Sequence, residues 1–399
     1  MQFYLNRTVS ILTCSILLAL SYLAAYAAEP TRARSLGIPF DGTPGELNAI
    51  TDVSGVLVGH TTIIQGRGSL QIGKGPIRTG VTALLPSGRE FRPVFAAWFT
   101  LNGNGEMTGT KWIEESGFLE EPILLTNTHS VGAVADASIS WRTERKYHAP
   151  DDPFGWASLP VVAETWDGRL NDIHGRHVTE QHVIEALDNA RSGPVAEGNV
   201  GGGTGMVCHR FKGGIGTSSR VMMDSGYTLG VLVQANYGRR EDLRIAGIPV
   251  GKEMTQLMPE MNSLAPGFEG NSVIVIIATD APLLPHQLKR LTKRVPLGIG
   301  RTGGFGSNSS GDIFLAFSTA SISEGASDRE ARVRMLRNEN IDELLLATVQ
   351  ATEEAIVNAL IAARDMVGIN GNKVYAIPHA ELQGLLRKHN RLVTGERAR

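Results

Sequence analysis

Short apolar runs bordered by glycine, proline or polar residues recur along this chain: GVTALL at 80–85, PVFAAWF at 93–99, PILLT at 122–126, TLGVLVQAN at 228–236, SVIVIIATD at 272–280 and DIFLAFS at 312–318. Their β-branched content and their borders predict buried strands. Helical patterns lie between them, at 130–145, 178–190, 285–294 and 341–367. The last repeats apolar residues at three- and four-residue spacing with alanine-rich sides, which predicts a long helix lying flat on a sheet. Together these elements predict a layered α/β fold with helices covering sheet faces. No fixed-period repeat, heptad run or low-complexity tract interrupts the pattern.

Glycine clusters at 201–205, 212–216 and 298–306 mark places where the backbone turns sharply or another group comes close. The stretch 239–271 is weakly periodic and broken by prolines. It reads as a surface linker that delivers Asn271–Ser272 to the start of the strongest strand.

The first residues follow another rule. Met1–Arg7 is positively charged, Ser10–Ala28 is apolar, and the chain turns polar at Glu29 and Pro30, the pattern of a secretory signal peptide. A retained membrane anchor competes with this reading, but the run is short for a bilayer span and ends in Ala25, Ala27 and Ala28. Cleavage after Ala27 or Ala28 and a secreted or periplasmic protein are expected, with 1–28 as leader. Cys14 lies inside the apolar run, where a lipid-anchored cysteine does not belong.

Without the leader, Cys208 is the sole cysteine, so no internal disulfide forms and the fold rests on its core. About 370 residues suffice for a large buried interior. A net charge of -2 without Lys/Arg blocks argues against nucleic acid or a membrane surface as partner, leaving a small substrate as the default.

Several motifs point elsewhere on first sight. GIGRTG (298–303) matches a dinucleotide fingerprint letter for letter, but a turn and a strand follow it where a helix should open. His174, His177 and His182 resemble metal ligands without an accompanying Cys or carboxylate cluster, and a helix capped at Thr179 explains the region equally well. Cys208 in an apolar setting reads as a small core residue. No G-x-S-x-G elbow occurs, which removes the ordinary α/β-hydrolase.

The segment GFEGNSVIVIIATDAPLLPHQLKR (267–290) combines a small-residue loop with a serine at the mouth of an apolar strand. Such a serine is placed to attack the carbonyl before it, and the α-amino group released at Ser272, with a reference pKa near 7.7–8.0, then serves as base for its own hydroxyl. The same letters also describe a serine that merely begins a buried strand.

GNSVIVIIATDAPLLPHQLKRL, VPLGIGRTGG, NSSGDIFLAFSTA, LVQANYG, NGNGEMTG and AETWDGRLNDIHG resemble the signature segments of the L-aminopeptidase/D-esterases and β-peptidyl aminopeptidases. The resemblance runs from about Ala49 to Asn390. It implies an N-terminal-nucleophile-like, four-layer αββα sandwich, one domain cut into a 29–271 chain and a 272–399 chain, and tetramers of such pairs. It places the nucleophile at Ser272 and the cleavage between Asn271 and Ser272. Ser310 and Asp312 fall on positions that hold and polarise the new N-terminus, although some relatives carry Glu where Asp312 stands. Asn236 falls on the oxyanion-stabilising amide, and Glu164, with Trp166 beside it, on the site that recognises a substrate ammonium. Locally, Ser310 and Asp312 also fit a turn, Asn236 a strand-end cap, and Glu164 a solvated strand end. Asn102, Asn104 and Glu106 are candidates for shaping the pocket, without an assigned chemistry.

The function expected from this resemblance is removal of N-terminal L-α, D-α or β-amino acids from short peptides, amides or esters through an acyl-enzyme on Ser272, with no metal or organic cofactor. Two alternatives stand beside it. One is acyl transfer as in the ornithine acetyltransferases, which share the architecture but use threonine. The other is a non-catalytic protein that keeps the glycine-rich cleft.

Overall fold

The computed structural model describes residues 31–149, 159–262, 271–320, 323–327 and 330–393. The expected leader, 1–28, lies outside the described residues, as does 263–270 in the stretch that leads into Ser272. Arg32–Arg399 clusters as one unit, apart from Met1–Thr31.

Along the chain come β1 (Leu57–Gln65), β2 (Ile77–Leu85), β3 (Val94–Gly103), α1 (Thr110–Ser116), β4 (Phe118–Leu119), β5 (Ile123–Asn127), α2 (Val131–Arg145), β6 (Val161–Thr165) and α3 (Glu180–Asp188). A hairpin of β7 (Val207–Cys208) and β8 (Phe211–Lys212) precedes β9 (Gly214–Val221), β10 (Thr228–Asn236) and α4 (Val250–Glu253). Then follow β11 (Asn271–Thr279), α5 (Pro285–Thr292), α6 (Val295–Arg301), β12 (Ser310–Ser318), α7 (Asp342–Ala362) and α8 (His379–Lys388).

One sheet has the order β1-β2-β5-β6 and the other β4-β3-β12-β11-β10-β9. In the larger sheet β11 runs antiparallel to β10 and parallel to β12, with α5 and α6 making the crossover.

Three apolar clusters explain the stacking. Val134, Trp141 and Val183 of α2 and α3 cover one face of the smaller sheet at Val81, Ala83 and Leu124. Ile123, Leu125 and Ala163 of that sheet meet Leu232, Ile274, Ile276 and Leu315 of the larger one. Val231, Val275 and Phe314 on its other face meet Leu288, Ala355 and Leu360 of α5 and α7. Helices, sheet, sheet, helices: the chain folds as the αββα sandwich expected from the sequence. By length and composition α7 passes for a membrane span, yet most of it is buried in the helix-side core.

The stretch 239–271 is not a plain surface linker. Arg240, Leu243, Ile245 and Val250 are buried. The Arg240 guanidinium donates to the carbonyls of His209, Arg210, Met254, Gln256 and Leu257, so one side chain gathers the irregular segment around itself. Local periodicity carries no trace of such an anchor.

Candidate active site

Ser272 is the second residue of β11, held between Asn236 of β10 and Gly311 of β12. Alternation along the strand decides which way it faces. Val273, Val275 and Ile277 pack with the helices, whereas Ile274, Ile276 and Ala278 join the core between the sheets. Ser272 shares the second phase and faces the inter-sheet layer. It is only 4% exposed. Its Oγ donates to the Asn271 carbonyl oxygen at 2.5 Å and accepts the Gly311 N–H at 3.3 Å. The hydroxyl oxygen therefore lies alongside the peptide group that precedes Ser272. A Cβ on Gly311 would stand 2.5 Å from the Asn104 carbonyl oxygen and 2.8 Å from Gly105 Cα, so glycine there is what lets the loop after β3 lie against the strand beside Ser272.

Asn236, opposite Ser272 in the ladder, is fully buried. Its carboxamide is fixed by two backbone groups: Oδ1 accepts the Val207 N–H at 2.8 Å and Nδ2 donates to the Trp166 carbonyl at 3.0 Å. That is a side chain held in one orientation, not a loose cap at a strand end.

Glu164 comes to this end of the molecule from the smaller sheet, at the end of edge strand β6. Oε1 accepts the Glu106 N–H at 3.1 Å and Oε2 accepts the Thr128 hydroxyl. A Cβ on Gly105 would lie 3.2 Å from Glu164 Oε1 and 3.1 Å from Gly311 Cα, so Gly105 sits between the carboxylate and the strand beside the serine. Burial raises the Glu164 carboxyl above its ordinary range, against the two hydrogen bonds that favour its charged form. It is not the solvated strand-end glutamate that local letters also allow. Trp166 presents its carbonyl to Asn236, while its ring packs on Gly168 and lies 5.7 Å from the Arg169 guanidinium carbon.

Ser310 and Asp312 open β12 on the helix-side face, in the phase of Phe314. Ser310 Oγ donates to Asp312 Oδ1 at 2.6 Å, and Asn102 Nδ2 donates to Oδ2 at 3.1 Å. Burial raises the Asp312 carboxyl despite these donors and the Val273 N–H. With Asn271, Tyr237, Arg239 and Phe305 they line a recess. Asn104, the neighbour of Asn102, is spent on the Ser309 carbonyl at 2.9 Å. The fold thus gathers Ser272, Asn236, Ser310 and Asp312 at one end of the larger sheet, with Glu164 approaching from the other.

The competing motifs take structural places. Gly298 and Gly300 of GIGRTG lie within α6, where Gly298 lets the helix cross α7: a Cβ would come 2.7 Å from the Val349 carbonyl. His177 bonds Asp172 at 2.8 Å, and His182 Nδ1 accepts from Thr179 N at 3.1 Å at the start of α3. His174 packs against His129 with ring centroids 4.9 Å apart and the rings tilted by 51°. Cys208 is buried, and burial pushes its thiol up to about 12. Sequence reasoning missed Thr128, which bonds Glu164, and the 203–213 segment that holds Asn236. The glycine cluster at 201–205 announced a close approach there without saying to what.

The sandwich of two sheets and its matches among known proteins define a serine aminopeptidase of the hydrolase class. The chain belongs to peptidase family S58, whose pattern it matches over residues 48–374. It is 51% identical over 397 residues to the beta-peptidyl aminopeptidase BapA of Sphingosinicella microcystinivorans, a match covering 96% of this chain and 98% of that one. BapA of Sphingosinicella xenopeptidilytica is 49% identical over 382 residues, covering 93% and 94%. Among solved structures, the L-aminopeptidase D-Ala-esterase/amidase of Ochrobactrum anthropi, described as a prototype of the serine aminopeptidases and a variant of the Ntn hydrolase fold, superposes with a TM-score of 0.83 at 49% identity, covering 92% of this chain and all of that one. A Burkholderia sp. beta-aminopeptidase gives 0.79 at 48% identity, covering 90% and 99%.

Proposed function

We propose that this aminopeptidase cuts its own chain between Asn271 and Ser272, then releases N-terminal residues, β-amino acids among them, from short peptides, amides and esters through an acyl-enzyme on Ser272. The observation that carries the proposal is the Ser272 hydroxyl, 2.5 Å from the Asn271 carbonyl oxygen at the mouth of a buried strand. In the first reaction Ser272 Oγ adds to the Asn271 carbonyl carbon, the peptide C–N bond breaks, and the acyl group passes to oxygen. Water then opens the ester, leaving a carboxylate on Asn271 and a free amine on Ser272. In the second, that amine takes the hydroxyl proton as Oγ attacks the substrate carbonyl, and the proton leaves with the departing amine. Asn236 donates to the oxyanion. Ser310 and Asp312, beside the strand start, orient the new N-terminus, and Glu164 pairs with the substrate's ammonium. Residues 102–106 shape the acyl pocket.

Inclusion of β-amino acids rests on the two β-peptidyl aminopeptidases that match almost end to end. The leader pattern supports export, with cleavage after Ala27 or Ala28, and the family resemblance supports tetramers of processed pairs. Release of p-nitroaniline from β-alanyl, L-alanyl and D-alanyl anilides tests the substrate range. The β-alanyl anilide should turn over, Ser272→Ala should abolish all three activities, and transfer of acetyl from acetyl-ornithine to glutamate in place of hydrolysis would overturn the proposal.

A further inference from the structure

Lys212 is a fully buried lysine whose hydrogen bonds, among the described residues, all go to backbone carbonyls. Its Nζ donates to the carbonyls of Met206 at 2.7 Å, Gly213 at 2.9 Å and Gly203 at 3.3 Å. Three acceptors use all three hydrogens of an ammonium, and a neutral amine offers two. Desolvation pushes Lys212 down to about 7, with Cys208 and then the fully buried Asp167 opposing the shift. A buried cation is costly unless fully paired, so its retention calls for a role.

The three carbonyls belong to the segment that turns through hairpin β7–β8, where His209 and Arg210 form a left-handed two-residue turn at φ 48° and 57°. The hairpin is docked on the end of β10 by the His209 N–H on the Tyr237 carbonyl at 2.6 Å and the Val207 N–H on Asn236 Oδ1 at 2.8 Å. Met206 and Gly213 close the hairpin's base, with the Gly213 N–H donating to the Met206 carbonyl at 3.0 Å.

We propose that Lys212 is a positioning residue for the Asn236 carboxamide: by gathering the carbonyls of Gly203, Met206 and Gly213 it fixes the hairpin whose Val207 N–H sets the direction of the amide. The inference rests on Asn236 being the oxyanion donor. An amide that has lost its fixed partner spends time out of line, and a displacement of about 1 Å near a reacting centre costs up to about 10²-fold.

The test is a double-mutant cycle on the processed enzyme with β-alanyl p-nitroanilide. Lys212→Met fills the space without the donors. It should lower kcat by about 10- to 100-fold with KM within about threefold, and in the Asn236→Ala background it should cost less than about twofold. Lys212→Gln, which keeps two N–H donors, should lose less than Lys212→Met and show the same coupling, and it supplies the comparison if Lys212→Met does not fold. Losses that multiply in the double mutant, or unchanged kcat with lowered thermal stability alone, overturn the positioning role. Full kcat in Asn236→Ala by itself removes the oxyanion reading, a separate result.

Discussion

Glu164 and Asn236 are both buried polar side chains at one end of the sheets, and they differ in what they meet. Among the described residues Glu164 meets no cation, only the Thr128 hydroxyl and the Glu106 N–H. A charge-assisted hydrogen bond is roughly twice as strong as a neutral one, so Glu164→Gln should lower kcat/KM for free-amine substrates by about tenfold or more. N-acetylated esters carry no ammonium and should be indifferent to the change. Equal losses on blocked and free substrates would make Glu164 a structural residue. Asn236→Ala should lower kcat by about 10²–10³ in protein that still processes, since one fixed oxyanion donor contributes about 2.7–4 kcal/mol. Steady-state kinetics on protein whose processed fraction is counted by gel checks this.

At the scale of elements, strand starts matter more than strand interiors. The apolar runs announced β2, β5, β10, β11 and β12 within a few residues, because a strand buried on both faces needs little beyond β-branched, uncharged sequence. The same uniformity hid which face each residue takes. Ser272 and Asp312 look alike in the sequence, each a polar residue at the edge of an apolar run, yet one faces the second sheet and the other the helices. Lys212 and Arg240 were illegible for a different reason. Arg240 binds carbonyls brought together only by the tertiary fold and Lys212 carbonyls that its own hairpin turns back on it, and nothing in the neighbouring letters marks either charged residue as buried. The roles proposed for Ser272, Asn236 and Glu164 came instead from whole-segment resemblance, since local chemistry left each of them with a bland alternative. One glycine shows how tightly the strand starts are packed. Gly311→Ala should push the Asn104–Gly105 loop away from Ser272 and lower kcat/KM by about 10²-fold while the far-ultraviolet circular dichroism stays unchanged. Full activity in that variant would mean that the loop does not contribute to the site.

For the whole molecule, a cut before Ser272 divides a sandwich whose halves are woven together. β11 and β12 lie between β3 and β10, so the larger sheet draws strands from both sides of the cut. Arg34 and Asn48 from the first part meet Glu354 of α7 from the second, at 2.8 and 2.6 Å, and Arg220 joins them at 2.8 Å. Burial alone would raise the Glu354 carboxyl, but Arg220 and Arg34 outweigh it and hold the pKa below the usual glutamate value. A depressed folded pKa stabilises the fold above the unfolded value, about 4.3, and that contribution is lost as the pH falls through the folded pKa. Stability should therefore decline below about pH 4. Glu354→Gln should be weaker by about 3 kcal/mol at neutral pH and show a flatter acid limb in urea midpoints measured against pH. An acid limb as steep as the wild type's would exclude Glu354 as its source.

Because such contacts would keep two cut chains together under native conditions, the proposed self-processing is read most directly from intact mass under denaturing conditions. The account predicts two species for the wild type, one ending at Asn271 and one beginning at Ser272, with N-terminal sequencing of the smaller reading Ser-Val-Ile-Val, and a single uncut, inactive chain for Ser272→Ala. One full-length mass in an active wild-type preparation would contradict it.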